Sequence, residues 1–477
     1  MKKLAFTLGL SVIAASSAFA QSNITQFNFE RIGNFHQYNP AAYQPYRAVV
    51  GLPALSSLNV TFHNPSFDFN TVLSPEFTAN QSIEYILETV QPGNRIFIEQ
   101  STDLMFIGFR TGKGYWSLGA QSRTFMNFEY PIDILRMVYY GPASEEIDGQ
   151  FSMSGNQTQV TSYLNYHVGY QHELLDGKLR IGGRFKWLNG LAHASAPASQ
   201  IDATLDATEW SFRTNVRANI SAPVDIENPS EFVLDPMDLL FGDNNGYAFD
   251  FGASYEVIKG LEVSAAITDF GSITWRNNTR SYVSNGEYTW DGQDYAYGDE
   301  AGFNADSIIS DVIDALEFEK LQGEEFTTSL PSNITVNARY NITPKHGFAF
   351  TYQLNQWNTR EYNNFGVSYM GNWSKWFSFY ASYALVEGDN TNVGVGFSAN
   401  LGPVQLYMMT DDILLVTGEN INMMNLRFGM NIAVFRKDLR GYEDMDAEDL
   451  TTPSVETIEV DEEDNSEESN DSDESDK

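Results

Sequence analysis

Six basic residues are the main candidates for binding chemistry, because each alternates with apolar neighbours in a strand-like pattern. They are Arg110, Arg180, Arg184, Lys186, Arg339 and Arg427. Successive side chains of a strand point to opposite faces, so all six are expected on the polar face. There they could bind a carboxylate-headed or other anionic ligand. Alternatively, they form a ladder of ion pairs with Asp and Glu, because buried charges need partners; we favour this second interpretation.

Motifs for catalysis are missing from the sequence. The histidines show no ligand-like spacing; they are His36, His63, His167, His172, His193 and His346. The chain has no cysteine, and it has no G-x-S-x-G nucleophile motif. Gly394-Val395-Gly396 lies within a strand pattern and lacks the following helix that a nucleotide loop needs. We therefore expect no enzyme activity, no metal and no cofactor.

Residues 422–435 show the kind of element that would position the basic side chains. Leu426, Phe428, Met430, Ile432 and Val434 alternate with Arg427, Gly429, Asn431 and Ala433. This pattern fits a strand between lipid and a polar lumen, and the stretch resembles the C-terminal signal of outer-membrane barrels. Residues 332–342, 346–356 and 391–401 alternate in the same way. A soluble β-sandwich, which buries each apolar face against a second sheet, is the alternative.

Two kinds of connection separate the predicted strands. Six are short and rich in Gly, Pro or Asn, as tight hairpins require: 111–114, 175–177, 259–260, 343–345, 372–375 and 401–403. Four are long: 64–95, 127–156, 191–246 and 277–330. Outer-membrane barrels have short periplasmic turns and long outer loops. The pattern therefore predicts an all-β fold, a transmembrane antiparallel β-barrel of about 14 strands over residues 56–435.

The long connections carry further patterns. Residues 199–220 form either a hairpin standing above the membrane or two more wall strands, which would make sixteen. Apolar residues recur at helical spacing in 81–90, 131–140 and 306–321. We expect partly helical extracellular loops, which either gate the outer mouth or simply pack on it.

The N-terminal region indicates export followed by a non-helical segment. Lys2 and Lys3 precede an apolar run and Ala18-Phe19-Ala20, which is the pattern of a signal peptide over residues 1–20. Residues 21–55 show no clear strand, and aromatic residues and prolines are interleaved there. We predict an N-terminal plug inside the barrel, with a periplasmic arm as the alternative. The candidate plug residues are Phe35, Tyr38, Asn39, Pro40 and Tyr43.

Negative charge is concentrated at the C-terminus. The chain has a net charge of −35, of which residues 443–477, with 17 acidic residues and one Lys, carry −16. We predict that 436–477 is a disordered acidic tail in the periplasm. It is either simply solvated, or it tethers a basic protein or loosely binds divalent cations. So acidic a chain argues against nucleic acid as a partner.

Several short motifs resemble those of a known family. They include Tyr38-Asn39-Pro40-Ala41-Ala42, Lys186-Trp187-Leu188-Asn189-Gly190, Ile267-Thr268-Asp269-Phe270-Gly271 and Gly402-Pro403-Val404-Gln405-Leu406-Tyr407. Together they resemble a Bacteroidetes family of outer-membrane proteins of unknown function. That family is similar in plan to long-chain fatty-acid transporter barrels and to barrel subunits of the type IX secretion system. The resemblance implies fourteen strands and an N-terminal plug.

Two functions remain open at this point. One is a plugged channel or transporter in the outer membrane for small, possibly hydrophobic, molecules. The channel would be porin-like. The other is a barrel that does not transport but serves as a partner or structural subunit in the secretion or assembly of surface proteins. Outer-membrane lipid is an expected partner in both cases, and a periplasmic or outer-membrane protein is a further candidate. An apolar pocket above the plug would favour the first function, and a sealed, ion-paired lumen the second.

Overall fold

The structure, a computed structural model, describes residues 24–64, 66–90, 95–141, 149–152, 156–205, 210–223, 236–290, 318–357, 360–374, 376–386, 389–413 and 423–435. The predicted signal peptide and acidic tail lie outside these ranges.

Strands dominate the described residues. They are β1 (Tyr46–Gly51), β2 (Leu58–His63), β3 (Ile96–Thr111), β4 (Gly114–Phe128), β5 (Gln150–Ser152), β6 (Asn156–Leu174), β7 (Leu179–Leu205), β8 (Trp210–Ser221), β9 (Asn245–Ile258), β10 (Leu261–Trp275), β11 (Thr279–Trp290), β12 (Glu319–Gln322), β13 (Phe326–Ser329), β14 (Ser332–Thr343), β15 (His346–Trp357), β16 (Arg360–Gly371), β17 (Phe377–Val386), β18 (Asp389–Leu401), β19 (Val404–Thr410) and β20 (Met423–Phe435). The helices are α1 (Ile24–Asn28), α2 (Phe69–Val72), α3 (Ala79–Thr89), α4 (Ile132–Tyr140) and α5 (Pro236–Phe241), with 3-10 turns at Phe35–Gln37 and Leu175–Gly177.

The strands form one closed antiparallel barrel. Its wall runs through β3, β4, β6, β7, β9, β10, β14, β15, β16, β17, β18, β19 and β20. β1 and β2 then pair with β20, and β1 also pairs with β3. If β1 and β2 count as one interrupted strand, the wall has fourteen strands. The predicted strand number is confirmed.

The first wall strand begins earlier than the sequence indicated. Tyr46 pairs with Phe435 and Leu58 pairs with Phe428, so the last strand does close the barrel against the first, as expected. Residues 46–51, however, were predicted to belong to the N-terminal segment, and here the structure differs. The break at 52–57 divides the strand into two pieces of six residues each, too short for the alternation of apolar and polar residues to be recognised.

All six predicted short turns join neighbouring wall strands at one end of the barrel. The first strand starts and the last strand ends at that same end, which we call the turn end. Gly112 and Gly260 adopt positive φ angles of 58° and 85°, a conformation that glycine reaches without steric cost. The opposite end carries the long connections and is called the loop end.

The two faces of the wall differ as predicted. In β20, Arg427, Gly429, Asn431 and Ala433 are buried towards the interior, whereas Phe428, Ile432 and Val434 are exposed on the outside. In β15, Thr351, Gln353 and Asn355 are buried, whereas Phe348 and Phe350 are exposed. The inside is therefore polar and the outside apolar, which is the reverse of a soluble protein.

Additional strands extend the wall at the loop end. β7 is 27 residues long, and its distal half pairs with β8 rather than with β9. β8 pairs with β11, and β11 with β12, which gives a side sheet beyond the wall. The described parts of 199–220 therefore pair with each other as an extra hairpin outside the wall, and the sixteen-strand alternative is wrong.

The helix predictions have mixed outcomes. α3 and α4 confirm the predictions at 81–90 and 131–140. The third predicted helix lies mostly outside the described residues, but its end is wrong because Leu321 lies in β12, where pairing with β11 overrides the local spacing. None of the described helices is long and apolar enough to cross a membrane.

Candidate functional site

Residues 24–45 lie inside the barrel and bond to wall strands around its circumference. Asn34 donates to Asp103 of β3 at 2.8 Å, and Asn28 donates to Thr351 of β15 at 2.7 Å. The backbone N–H of Gly33 donates to Gln405 of β19 at 2.8 Å. Because these partners come from well-separated strands, the segment crosses the lumen rather than lining one side.

Two wall glycines let the segment approach the wall closely. Gly182 of β7 and Gly252 of β9 are cross-strand partners. A Cβ atom at Gly182 would lie 2.2 Å from the carbonyl oxygen of Pro40, and one at Gly252 would lie 2.4 Å from Oδ1 of Asn39. Only glycine at both positions leaves room for the segment in this place. We call this pair the glycine seat.

The five predicted plug residues all belong to this segment. Phe35 is buried, and Asn39 and Pro40 lie on the glycine seat. Tyr43 lies 5.6 Å from the Arg180 guanidinium, measured from ring centroid to Cζ. Tyr38 lies 4.9 Å from the Arg427 guanidinium in the same measure. Both tyrosines therefore make cation–π contacts with predicted lumen residues.

One group of ion pairs joins the segment to the wall. Arg339 of β14 pairs with Glu30 of the segment and, at 3.4 Å, with Glu262 of β10. Arg180 of β7 pairs with the same Glu262 and donates from Nε to the carbonyl oxygen of Ala41 at 3.1 Å. Each of these charges is thus paired, which offsets the cost of burying it.

A second group of ion pairs joins wall strands to one another through the lumen, without residues of the segment. Lys186 of β7 lies 2.7 Å from Asp250 of β9 and 2.6 Å from Asp269 of β10. Arg123 of β4 bridges Asp269 at 2.7 Å and Glu99 of β3 at 2.5 Å. Asp269 has a φ of 61° at a break in the β9–β10 register, and its backbone N–H donates to Asp250 at 2.8 Å. The bulge therefore places Asp269 between two cations.

The remaining predicted basic residues have different partners. Arg110 pairs with Glu173 at 3.0 Å near the turn end. Arg427 donates to the neutral oxygens of Ser57, Gln26 and Gln37 at 2.8–3.1 Å. All six predicted residues therefore point inward, but they are spread over separate clusters rather than along one track.

A polar cavity of about 40 Å³ lies between the segment and the second ion-pair group, enough for about one or two water molecules. Gln37, Tyr38, His167 and Arg184 are among its lining residues. Arg184 lies 3.4 Å from Asp250 through Nη1. Among the described residues, its Nε and Nη2 atoms and both ring nitrogens of His167 find no hydrogen-bond partner. The lining carries four basic side chains, Arg123, Arg184, Lys186 and Arg427, and two carboxylates, Glu99 and Asp269. The cavity is therefore polar, with more basic than acidic groups around it.

The lumen becomes apolar towards the loop end. Three charged residues of the second ion-pair group each have an apolar inward neighbour two residues away, on the side of the loop end. These pairs are Glu99 with Phe97, Arg123 with Phe125, and Lys186 with Leu188. The three apolar residues belong to a buried cluster, here called the aromatic layer: Phe97, Phe125, Tyr163, Leu188, Ala248, Ile273, Trp275, Leu330, Trp357 and Met423. Trp357 packs edge-on against both Phe97 and Phe125, with centroid distances of 5.4 and 5.1 Å.

A small cavity of about 30 Å³ adjoins the aromatic layer. Its lining includes Phe97, Trp357 and Tyr362, together with polar side chains such as His63. The Arg95 guanidinium lies 3.7 Å from the centroid of the Tyr362 ring. The lumen therefore has two levels, a hydrogen-bonded polar level that contains the segment and an apolar level nearer the loops.

Sequence reasoning missed the acidic partners and the aromatic layer. Asp250 alternates with Phe249 and Phe251, so the face pattern alone could have placed it inward. Asp269 could not be found this way, because its bulge breaks the alternation. In the part of the chain that the structure describes, no group of three or more His, Asp or Glu side chains could hold a metal ion.

The family comparison identifies the chain. Residues 40–411 match the model described as "Family of unknown function (DUF5723)". The chain belongs to this family. The match begins inside the luminal segment and runs through β19, so it covers the glycine seat and the second ion-pair group, but not Glu30 of the first group. No curated protein matches the chain.

The chain is also similar to several solved structures. The TodX deltaS2S3 mutant monoaromatic hydrocarbon channel has a TM-score of 0.40 and 9% identity, covering 87% of this chain and 94% of the other. The Ralstonia pickettii toluene transporter TbuX has a TM-score of 0.38 and 10% identity, and the match covers 88% of this chain and 95% of TbuX. A Pseudomonas aeruginosa FadL homologue has a TM-score of 0.38 and 9% identity, covering 87% and 97%.

Proposed function

We propose that the protein is an outer-membrane barrel that passes small hydrophobic molecules, and that residues 24–45 are its plug. The outer surface supports a membrane location. On β9 the outward residues between Tyr247 and Tyr255 include Phe249 and Phe251, and all four are exposed. Tyr247 and Tyr255 are eight residues apart, about 27 Å along a strand. Aromatic residues that bound an apolar band are typical of a barrel in lipid.

The aromatic layer is the observation that carries the transport proposal. A barrel needs no apolar cluster inside its lumen in order to be stable in lipid, since its apolar surface already faces outward. An apolar level at the loop end gives a hydrophobic molecule a place to leave water, because transfer of apolar surface out of water is favourable. Molecules would then pass the polar level only when the plug moves.

Uptake measurements test this proposal. Cells that express the protein are given radiolabelled toluene, chosen as a small apolar probe, or radiolabelled glycerol, a polar probe of similar size. Faster uptake of toluene than in cells without the protein, with unchanged glycerol uptake, is expected. Equal acceleration of both probes would show a non-selective pore, and acceleration of neither would remove the support for transport.

The ion-paired lumen favours a second candidate function. Both cavities are far smaller than the 300–1,000 Å³ typical of ligand pockets. A sealed barrel would suit a partner subunit in the secretion or assembly of surface proteins. Affinity purification from outer membranes separates the two functions. A stoichiometric protein partner together with absent toluene uptake would favour this second candidate.

A further inference from the structure

Helix α5 lies against the outside of the barrel wall near the loop end. The Phe241 ring stacks on Tyr166 of β6 and on Trp187 of β7, with centroid distances of 5.8 and 5.9 Å and interplanar angles of 13° and 15°. Tyr166 and Trp187 themselves stack at 5.3 Å. The Tyr166 hydroxyl also donates to the carbonyl oxygen of Leu240 at 2.9 Å. Three rings and one hydrogen bond therefore fix α5 to the wall.

The docking site of α5 lies at one edge of the outward apolar band. Trp187 is the cross-strand partner of Tyr166 on one side and of Tyr247 on the other, so three neighbouring strands present aromatic rings at the same level. One step towards the turn end, Val168 and Phe185 are paired and exposed. The aromatic row thus borders a surface that faces lipid if the proposed membrane location is right.

α5 adds apolar surface to this border. Although Phe241 contacts the wall with its ring, 55% of the residue stays exposed, and Leu240 is 40% exposed. In water these side chains would form a patch continuous with Tyr247, whose burial would be favourable. At the level of the aromatic row, the boundary between acyl chains and head groups supplies that burial, since amphipathic elements insert their apolar side there.

We propose that α5 is a lipid-contacting anchor by which the 191–246 connection rests on the outer leaflet. The proposal rests on the proposed membrane location, and its partner is the surrounding bilayer. Apolar side chains of α5 would enter the acyl-chain boundary while the stack on Tyr166 and Trp187 holds the helix to the wall. Through this anchor the bilayer would hold one end of the connection that contains β8 of the side sheet.

Site-directed spin labelling tests the anchor, and the absence of native cysteine makes single labels straightforward. Full-length Leu240→Cys is labelled with a nitroxide in phosphatidylcholine–phosphatidylglycerol vesicles. The accessibility of the label to oxygen, which partitions into lipid, is compared with that to a water-soluble nickel complex. Phe350→Cys, whose native residue is 51% exposed on the outer wall, is the lipid control. Arg213→Cys is the water control, since the native side chain is 69% exposed on the side sheet.

The expected oxygen-to-nickel ratio at residue 240 matches that at residue 350 and exceeds that at residue 213 several-fold. A ratio at 240 like that at 213, with 350 still in lipid, would overturn the anchor and leave the membrane location intact. A water-like ratio at 350 would overturn both proposals. Adding Phe241→Ser to the Leu240→Cys protein should lower the ratio at 240, because the ring stack is lost. An unchanged ratio would refute the role assigned to the stack.

Discussion

The two levels of the lumen are closed by different chemistry. The polar level depends on the N-terminal segment, since Arg339 pairs with Glu30, and Arg427 donates to Gln26 and Gln37. The aromatic layer is built from wall strands together with Leu330 just before β14, and needs no residue of the segment. Directional bonds between charged groups specify one position, whereas apolar cores accept substitutions that keep their volume. The polar level thus fixes the position of the segment, and the aromatic layer does not.

This contrast predicts that damage at one level leaves the other intact. Variants of the aromatic layer should lose stability without moving the segment, whereas variants of the polar level should release it. Ion conductance across planar bilayers reports release of the segment, and thermal unfolding in detergent reports overall stability. The following four predictions run from the largest expected effect to the smallest.

Trp275→Ala should cause the largest loss of stability. Trp275 is fully buried in the aromatic layer, and its ring nitrogen donates to Thr328 at 2.9 Å. Truncating a buried Trp costs about 3–5 kcal/mol. Thermal unfolding should shift down while conductance stays at the wild-type level. Trp373→Ala, at an exposed position, is the control. Raised conductance in Trp275→Ala would mean that the two levels are coupled.

Glu30→Gln should release the segment, because it removes the carboxylate through which the segment pairs with buried Arg339. Breaking a buried ion pair costs about 3 kcal/mol or more. We expect a marked rise in conductance. Glu287→Gln removes one partner of an exposed pair with Arg213 and should change stability by less than about 1 kcal/mol. Wild-type conductance in Glu30→Gln would show that this ion pair does not hold the segment.

Gly182→Ala should displace the segment from the glycine seat. The added methyl group would lie 2.2 Å from the Pro40 carbonyl oxygen, which is backbone and cannot rotate away. Overpacking of this kind costs about 1–3 kcal/mol. Gly183→Ala is a matched control, because its Cβ would meet no atom closer than 3.6 Å. Conductance should rise in the first variant and stay low in the second; equal behaviour would argue against the glycine seat.

Mild acidification should weaken the docked segment. Burial lowers the pKa of His36 from its ordinary value of 6.5 to about 3. Its ring stacks on Tyr115 at 4.7 Å and contacts Gln171 at 3.3 Å. Between about pH 3 and pH 6.5, His36 is protonated in a released segment but neutral in the docked segment.

The contribution of His36 to docking is therefore fully present above pH 6.5 and decreases by about 1.4 kcal/mol per unit as the pH falls below that value. Channel-opening probability between pH 7.5 and 4.5 checks this prediction. His36→Gln, which cannot titrate, should show a shallower slope. A wild-type slope in that variant would assign the pH effect to other groups.

The wall could be predicted from the sequence because its signals are local. Alternation of residues such as Arg427 and Phe428 fixes the face of each strand, and turn residues fix the hairpins, so strand number follows by counting. Gly182 and Gly252 could not be paired in this way, since their partnership depends on register across a long connection. Trp357 is in phase with Asn355 on the inward face, but an aromatic residue in a barrel strand is ordinarily expected to face lipid.

The covalent link between Pro45 and Tyr46 has a kinetic consequence. Residues 24–45 are continuous with a wall strand that starts at the turn end, so a released segment stays attached to the rim it came from. Its return is an intramolecular reaction, with an effective concentration on the order of millimolar for a short flexible tether. The rate at which the segment returns to the lumen would therefore be independent of the protein concentration in the membrane.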